Sequence, residues 1–460
     1  MLKSFANIFR VPELRNKVLF TLFMLMIYRV GYHIPLPGID QDAFSALEQG
    51  DAASRLAAYV SLFSGGDLSQ STIFGLGVMP YISASIIFQL LGTTIPALEK
   101  LKKEGQTGQR KIQEWTRYAT VPIAALQSIF LLSYMTNQGL VQTALEGTMT
   151  FWILGTLALT TGCIFLMWLG EQVDEYGLGN GVSLIILAGI VARMPAAIGQ
   201  LITGFDADAS GTGIGVGQII FLIASFIFVV MGSILITQAQ RRIPIQQAKH
   251  TRGRKVYGGQ KQFLPLRVNH GGVMPIIFAQ SLMLFPGMLL GYLDGIGQAN
   301  NWDGFFGNTF AWLNIQFAQT GFIYIITEVI LIYFFAYFWT TVQFQPKEMA
   351  NQLRDYGSFI PGLRPGKRTA DYLERVMMRI TFVGAAFLSI IAIIPMVVAA
   401  YMGIPWEVSA FLGGTGLLIV VSVALDMVQR IEANLVMRNY SGFLADSPGA
   451  KGKRIKGRNH

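Results

Sequence analysis

Charge is scarce in this chain. Only 13% of its 460 residues are Asp, Glu, Lys or Arg, against about a quarter in soluble proteins. Set beside 52% hydrophobic residues, that shortage excludes a single water-soluble core and makes lipid the solvent. Cysteine is nearly missing. Cys163 stands alone inside an apolar run, so no disulfide can form within the chain and the redox compartment is not encoded. Four histidines (His33, His250, His270, His460) are too few and too scattered for a histidine-based metal cluster. Catalytic patterns are missing as well: there is no Gly-x4-Gly-Lys-Ser/Thr loop, no His-Glu-x-x-His and no Gly-x-Ser-x-Gly. The stretch Gly177-Leu178-Gly179-Asn180-Gly181 looks like a phosphate cradle, but no strand precedes it, so it reads as a flexible loop opening a helix. Nothing in the residues calls for catalysis, a metal or a cofactor.

What the chain has in quantity is apolar runs. They fall at about 18–36, 74–97, 118–137, 151–170, 181–201, 215–238, 273–293, 319–342, 378–402 and 408–428. Backbone groups in hydrocarbon must bond internally, so each run predicts a membrane helix. Fifty glycines suit helices that approach closely. The first run follows basic residues, as in a signal peptide. It passes into Tyr28-Arg29 and His33-Ile34-Pro35 without a small-residue cleavage pattern, which predicts an uncleaved span.

Lysine and arginine set the orientation. Lys3, Arg10, Arg15 and Lys17 lie at the start, and Lys100, Lys102, Lys103, Arg110, Lys111 and Arg117 follow the second run. Dense basic groups recur near 250, 367 and 454, whereas the opposite loops carry Asp40, Asp42, Glu48, Asp51, Asp67, Glu146, Asp206, Asp208, Asp294 and Asp303. The expected topology has both termini in the cytoplasm. Division after the fifth span would give two five-helix halves of inverted topology, with a pathway at their interface. The halves are residues 1–201 and 202–430, followed by a basic tail at 431–460, predicted to be disordered after Tyr440. Loops at 239–272 and 343–377 belong to the cytoplasmic side.

Two connections break the pattern. The segment 38–73 is too long for a tight turn, and within its part at about 56–71 the apolar stretch 56–63 is far too short to span, as in re-entrant or interfacial segments. The loop 171–180 is acidic on a basic side, which suggests that it has another job. Charges inside spans mark ion-coupled transport. Of Arg29, Arg193, Glu328 and Asp426, only Glu328 is placed deep, and it lacks a basic partner in the sequence.

Seven stretches stand out: GLGVMPYISASIIFQLL at 75–91, LMWLGEQVDEYGLGNGVS at 166–183, QRRIP at 240–244, RGRKVY at 252–257, LPLRVN at 264–269, FIPGLRPG at 359–366 and LGGTGLLI at 412–419. In order and spacing they closely resemble the SecY family of pore subunits of bacterial protein export, over nearly the whole chain. The resemblance implies an all-α polytopic membrane protein of ten transmembrane helices, in two pseudo-symmetric inverted halves around a central pore. It also implies an apolar pore ring at Val78, Ile82, Val182, Ile186, Ile277 and Ile419. The i, i+4 pairs there share one helix face, and branched apolar side chains dewet a narrow pore against ions without gripping a passing chain. Such residues line every membrane helix, so spacing alone would not single them out.

By the same resemblance, Ser61, Leu62, Phe63, Ser64, Gly65, Gly66 and Asp67 belong to a plug helix, with the polar glycine pair as its hinge. An interfacial helix is the other reading of that segment. A lateral gate between spans two and three and spans seven and eight would include Ser83, Ser85, Gln127, Gln280 and Ser281, bonding across the closed seam, although ordinary helix contact accounts for each equally well. Arg252, Arg254, Lys255 and Arg364 would receive the ribosome or the SecA motor, while contact with anionic lipids adds to that attraction. SecE and SecG are the implied membrane partners, and signal-sequence-bearing preproteins the implied substrates, in a bacterial plasma membrane. The alternatives are a thylakoid member of the family and, outside it, a secondary transporter of a small solute. A transporter predicts paired charges at a midplane site, and spans two, five, seven and ten lack such a cluster.

Overall fold

A computed structural model describes residues 12–445 except 41–71, 138, 143, 144, 146, 206–214, 248, 249, 253, 254, 258–260, 300–304, 318–320, 403–407 and 410–413. In chain order its helices are α1 (Pro12–Gly31), α2 (Met79–Thr94), α3 (Pro96–Lys103), α4 (Gln106–Asn137), α5 (Met149–Tyr176), α6 (Gly181–Thr203) and α7 (Val216–Gln238). They continue with α8 (Met274–Ala299), α9 (Phe305–Gln316), α10 (Phe322–Gln343), α11 (Pro346–Asp355), α12 (Lys367–Met402) and α13 (Thr415–Ala445). Ten of these coincide with the ten apolar runs; α3, α9 and α11 are short connectors. Taken singly, α5, α6, α7, α10 and α12 are long and apolar enough to cross a bilayer. The apolar parts of α4 and α13 are shorter than the helices, because Arg110, Lys111, Glu114 and Arg117 open α4 and Asp426 and Arg430 lie within α13.

The helices wear their apolar side chains outward. On α7, Leu222, Ser225, Val229 and Ser233 are buried while Ile223, Ile227, Met231 and Leu235 are exposed. A soluble helix carries polar residues on its exposed face instead. Outside hydrocarbon that surface would be costly; within it, the inward small residues let neighbouring helices approach.

Three boundaries differ from the runs. The run 18–36 ends as a helix at Gly31, because Pro35 and Pro37 follow and Pro35 forms a bridge to Thr72. The run 74–97 splits. Its first residues form a turn in which Gly77 has φ of 55°, and Ile95, held extended (φ −95°, ψ 116°) ahead of Pro96, ends α2. The chain then bends by 101° between α2 and α3. At the other end, α13 continues past Tyr440 to Ala445, so the tail expected to be disordered starts with helix; 446–460 lie outside the described residues.

The loops at 239–272 and 343–377, predicted only as basic connections, carry β structure. Strand β1 (Gln240–Gln247) pairs antiparallel with β4 (Lys261–Arg267), from Gln240↔Arg267 to Gln246↔Lys261. Between them, β2 (His250–Arg252) and β3 (Lys255–Tyr257) continue the hairpin. On its other edge β1 pairs with β5 (Ser358–Phe359), at Gln246↔Phe359 and Gln247↔Ser358. Pro244, which has no N–H to give, sits where β4 alone flanks β1. Ile243 and Leu266 turn inward onto Phe344, Ile360, Leu373, Val376 and Met377. This small core joins both loops to the end of α10 and the start of α12.

His270 closes the base of the hairpin. Its Nδ1 lies 2.8 Å from the Arg267 carbonyl, and its ring meets Phe344 edge-on at 5.8 Å. Burial lowers its pKa below the ordinary 6.5, and the bond to Arg267 only partly offsets this. The folded chain therefore holds this proton less tightly than the unfolded one. The stability His270 contributes is present above the unfolded value and is lost as pH falls through it. In detergent, thermal stability should fall between about pH 7.5 and about pH 5.5, and His270→Gln should reduce that fall; an identical pH dependence in the variant would contradict the assignment.

Candidate functional site

The six residues expected to form the ring come together. Val78, Ile82, Ile186, Ile277 and Ile419 are 0%, 5%, 2%, 3% and 0% exposed and belong to one contiguous apolar cluster, against which Val182 packs. The cluster draws on α1, α2, α5, α6, α7, α8, α10, α12 and α13. Each of the six sits at or near the start of its helix: Val78 is the N-cap of α2, and Ile82, Val182, Ile186, Ile277 and Ile419 all fall within the first two turns of theirs. Two lines of contact flank the cluster, α2 against α8 and α6 against α13. An apolar waist closed by side chains alone can exclude water yet separate without breaking any bond.

The start of α6 is held by the acidic residues that looked out of place in the sequence. Asp174 Oδ1 accepts from the Gly181 N–H at 2.7 Å, and Asn180 Oδ1 accepts from the Ser183 N–H at 3.0 Å. The Leu178 N–H donates to Thr21 Oγ1 at 3.0 Å, which ties the turn to α1. Glu171 pairs with Arg117 of α4 at 2.6 Å. Two acids of this turn, Glu171 and Asp174, are thus engaged within the fold. Gly179, at φ +103°, makes the reversal. Gly181 lies so close to α5 that a Cβ there would overlap the Gly170 carbonyl. Val182 and Ile186 are aimed by this junction. The pattern Asn180-x-x-Ser183 is the sequence signal that a capped helix starts there.

Glu328 has a partner after all. Wholly buried on α10, it accepts from Gln280 Nε2 of α8 at 3.1 Å, and the same Nε2 makes a long 3.5 Å contact with Thr415 Oγ1 of α13. Gln280 and Thr415 lie about one turn from Ile277 and Ile419, so this polar contact fastens α8 to α10 and brings it up to α13. Gln280 Oε1 and Glu328 Oε2 face no donor among the described residues. Neither Glu328 nor Thr415 stands out in the sequence as a contact, because their spacing to Gln280, 48 and 135 residues, leaves no local pattern.

The seam residues divide. Ser281 Oγ donates to its own helix at the Ile277 carbonyl (2.7 Å) and reaches Met79 Sδ of α2 at 3.7 Å. Gln280, expected to bond across that seam, points the other way, to α10 and α13. Turning inward gives its amide two oxygen acceptors, whereas Met79 across the seam offers only a weakly accepting thioether. Ser85 accepts from Gln89 within α2 at 3.1 Å, Ser83 is buried on α2, and Gln127 is half-buried on α4.

The residues Ser61, Leu62, Phe63, Ser64, Gly65, Gly66 and Asp67 lie outside the described residues, as does Arg254. Arg252 and Lys255 face each other in register at the hairpin end of β2 and β3. Arg364 is exposed in the turn before α12, its carbonyl accepting from Thr369 Oγ1 at 3.0 Å.

Two substitutions test this construction. Gln280→Leu leaves a buried carboxyl without its donor and should cost about 1–3 kcal/mol, whereas Glu328→Gln keeps a hydrogen-bonding partner and should cost less; equal melting temperatures for the two in detergent would contradict the latch. Gly181→Ala forces α6 away from α5 and should destabilise by at least about 1–3 kcal/mol. A variant as stable as the parent would show that the α5–α6 junction is looser than described.

Comparison with known proteins agrees with this architecture. The chain matches the SecY family over residues 72–428. It is 39% identical to the protein translocase subunit SecY of Thermotoga maritima over 464 residues, covering 100% of both chains. With the Streptomyces galbus protein of the same name it is 41% identical, over 96% of this chain and 100% of that one. A solved protein-conducting channel superposes with a TM-score of 0.60 at 18% identity, over 93% of this chain and 94% of that one. The channel of the canine ribosome-channel complex from the endoplasmic reticulum gives 0.57 at 18%, with the same coverage. The family match and the full-length relatives assign the chain: it belongs to the SecY family, with that family's ten-helix membrane fold.

Proposed function

We propose that this chain is the pore-forming subunit of a protein translocase, through which unfolded preproteins cross a bacterial plasma membrane. The observation that carries this is the single buried cluster containing all five fully buried ring residues, in a chain whose relatives are translocase subunits along their whole length. Residues 1–201 and 202–430 act as the two halves, with both termini in the cytoplasm. A passing chain parts the waist, which reseals because its branched apolar side chains shed water. Hydrophobic segments leave sideways between α2 and α8. That seam has the weak Ser281–Met79 contact, while Gln280 keeps α8 bound to α10 and α13. Parting α2 from α8 breaks little; parting α8 from α10 breaks more.

The segment 61–67 plugs the outer side of the waist in the resting state. The channel performs no catalysis of its own, so the push comes from a SecA-type motor, a translating ribosome or the proton-motive force. Arg252, Arg254, Lys255 and Arg364 receive the motor or the ribosome. The sheet through β1 and β5 joins their two loops, which supports a single docking platform. SecE and SecG are the membrane partners.

The test is ion conductance of reconstituted vesicles, comparing the intact chain with one lacking residues 61–70. The intact chain should be tight and the deletion leaky. An unchanged leak together with saturable uptake of a small solute would overturn both the plug and the protein-conducting reading.

A further inference from the structure

Arg241, Arg375 and Arg379 line one cavity of about 180 Å³ with Tyr372, Val376 and Ile380. The three cations are brought together by two elements. Arg375 and Arg379 lie one turn apart on α12, and β1 supplies Arg241, three residues past the end of α7. Like charges at that helical spacing repel. No carboxylate lines the cavity, and among the described residues none of the three arginines makes an ion pair. Arg375 Nε donates to the carbonyl of Asp371 at 3.3 Å, a neutral acceptor that leaves the charge uncompensated.

The location narrows the ligand. The apolar run of α12 begins at Met378, and just beyond it Met378, Phe382 and Val383 are exposed, as lipid-facing residues are. The cavity thus sits where a membrane helix surface meets the polar hairpin. Small-solute sites usually enclose about 300–1,000 Å³, so about 180 Å³ suits a single oxyanion group rather than a whole solute. Guanidinium forks match phosphate geometry, and Val376 and Ile380 supply an apolar wall.

We propose that this cavity binds the phosphodiester headgroup of an anionic lipid, whose chains run along the exposed face of α12. The site is separate from the hairpin-tip cations assigned to docking. It rests on α7 and α12 being membrane spans and not on protein conduction.

The experiment is native mass spectrometry of the full chain in neutral detergent, titrated with phosphatidylglycerol, phosphatidylcholine, inorganic phosphate or a polyglutamate peptide. Phosphatidylglycerol should be retained over phosphatidylcholine. Each arginine removed should weaken binding roughly fivefold, and Arg375→Gln with Arg379→Gln roughly thirtyfold. Arg379→Lys, which keeps the charge and disturbs folding least, should bind more weakly than the parent through loss of the fork. Lys347→Gln with Arg354→Gln, which removes two charges outside the cavity, should bind as the parent does. Equal weakening by that control pair, or no weakening by the cavity pair, overturns the site. Displacement of the lipid by inorganic phosphate at equal concentration makes it a free-phosphate site, and capture of polyglutamate without phosphatidylglycerol makes it a protein-docking site; either result overturns the lipid assignment. Conductance of the same preparations is independent of this readout, so failure of the channel reading would leave lipid binding intact.

Discussion

Dispersion packing around Val78, Ile82, Ile186, Ile277 and Ile419 is the contact on which the rest of the bundle depends. Lipid tails are as apolar as leucine, so no hydrophobic force drives one span against another, and close packing must hold the helices instead. That places a geometric demand on the helix starts, where the ring residues sit. Two of these starts are set by local devices: Gly77 and Pro80 before and within the first turn of α2, and Asp174, Asn180 and Gly181 at α6. Side-chain packing of this kind has no covalent or ionic bond to break.

Polar contacts are spent unevenly around that waist. Gln280 binds α8 to Glu328 of α10 and approaches Thr415 of α13, whereas the α2–α8 seam has the long Ser281–Met79 contact. Interhelical hydrogen bonds in membranes average only about 0.6 kcal/mol, with a ceiling near 2. In the proposed channel, a difference of one or two such contacts is enough to favour parting α2 from α8 over parting α8 from α10. The same unevenness explains why a buried acid is tolerated here: it serves as the acceptor for a neighbouring amide.

On the basic side, a different physics applies. The hairpin and β5 form a sheet over a small core of Ile243, Leu266, Leu373 and their neighbours, continuous with the first turns of α12. Strands can exist there because their backbone edges are not in hydrocarbon. The sheet makes two loops distant in sequence into one rigid surface, and it also gathers Arg241 beside Arg375 and Arg379.

The sequence by itself determined the membrane class, the ten spans and the charge asymmetry. Apolar runs of about 20 residues in a chain so poor in charge have no other stable home. Through the family resemblance it also pointed to six apolar positions that lie in or against one buried cluster, and it marked the exceptional acids of 171–180 through their breach of the charge rule. Boundaries were less legible: the breaks at Gly31 and Ile95 depend on prolines that hydropathy averages away. The strands of 240–267 are hard to read from the sequence, because the many basic residues mask a short alternation at Ile243, Ile245, Leu264 and Leu266. Only the tertiary structure could decide that Glu328 meets Gln280, that Gln280 turns away from the seam, and that three arginines share one cavity. Except for Arg375 and Arg379, which are one helical turn apart, those contacts join residues 48 or more positions apart, and their geometry follows from how helices pack, a long-range property that no local spacing records.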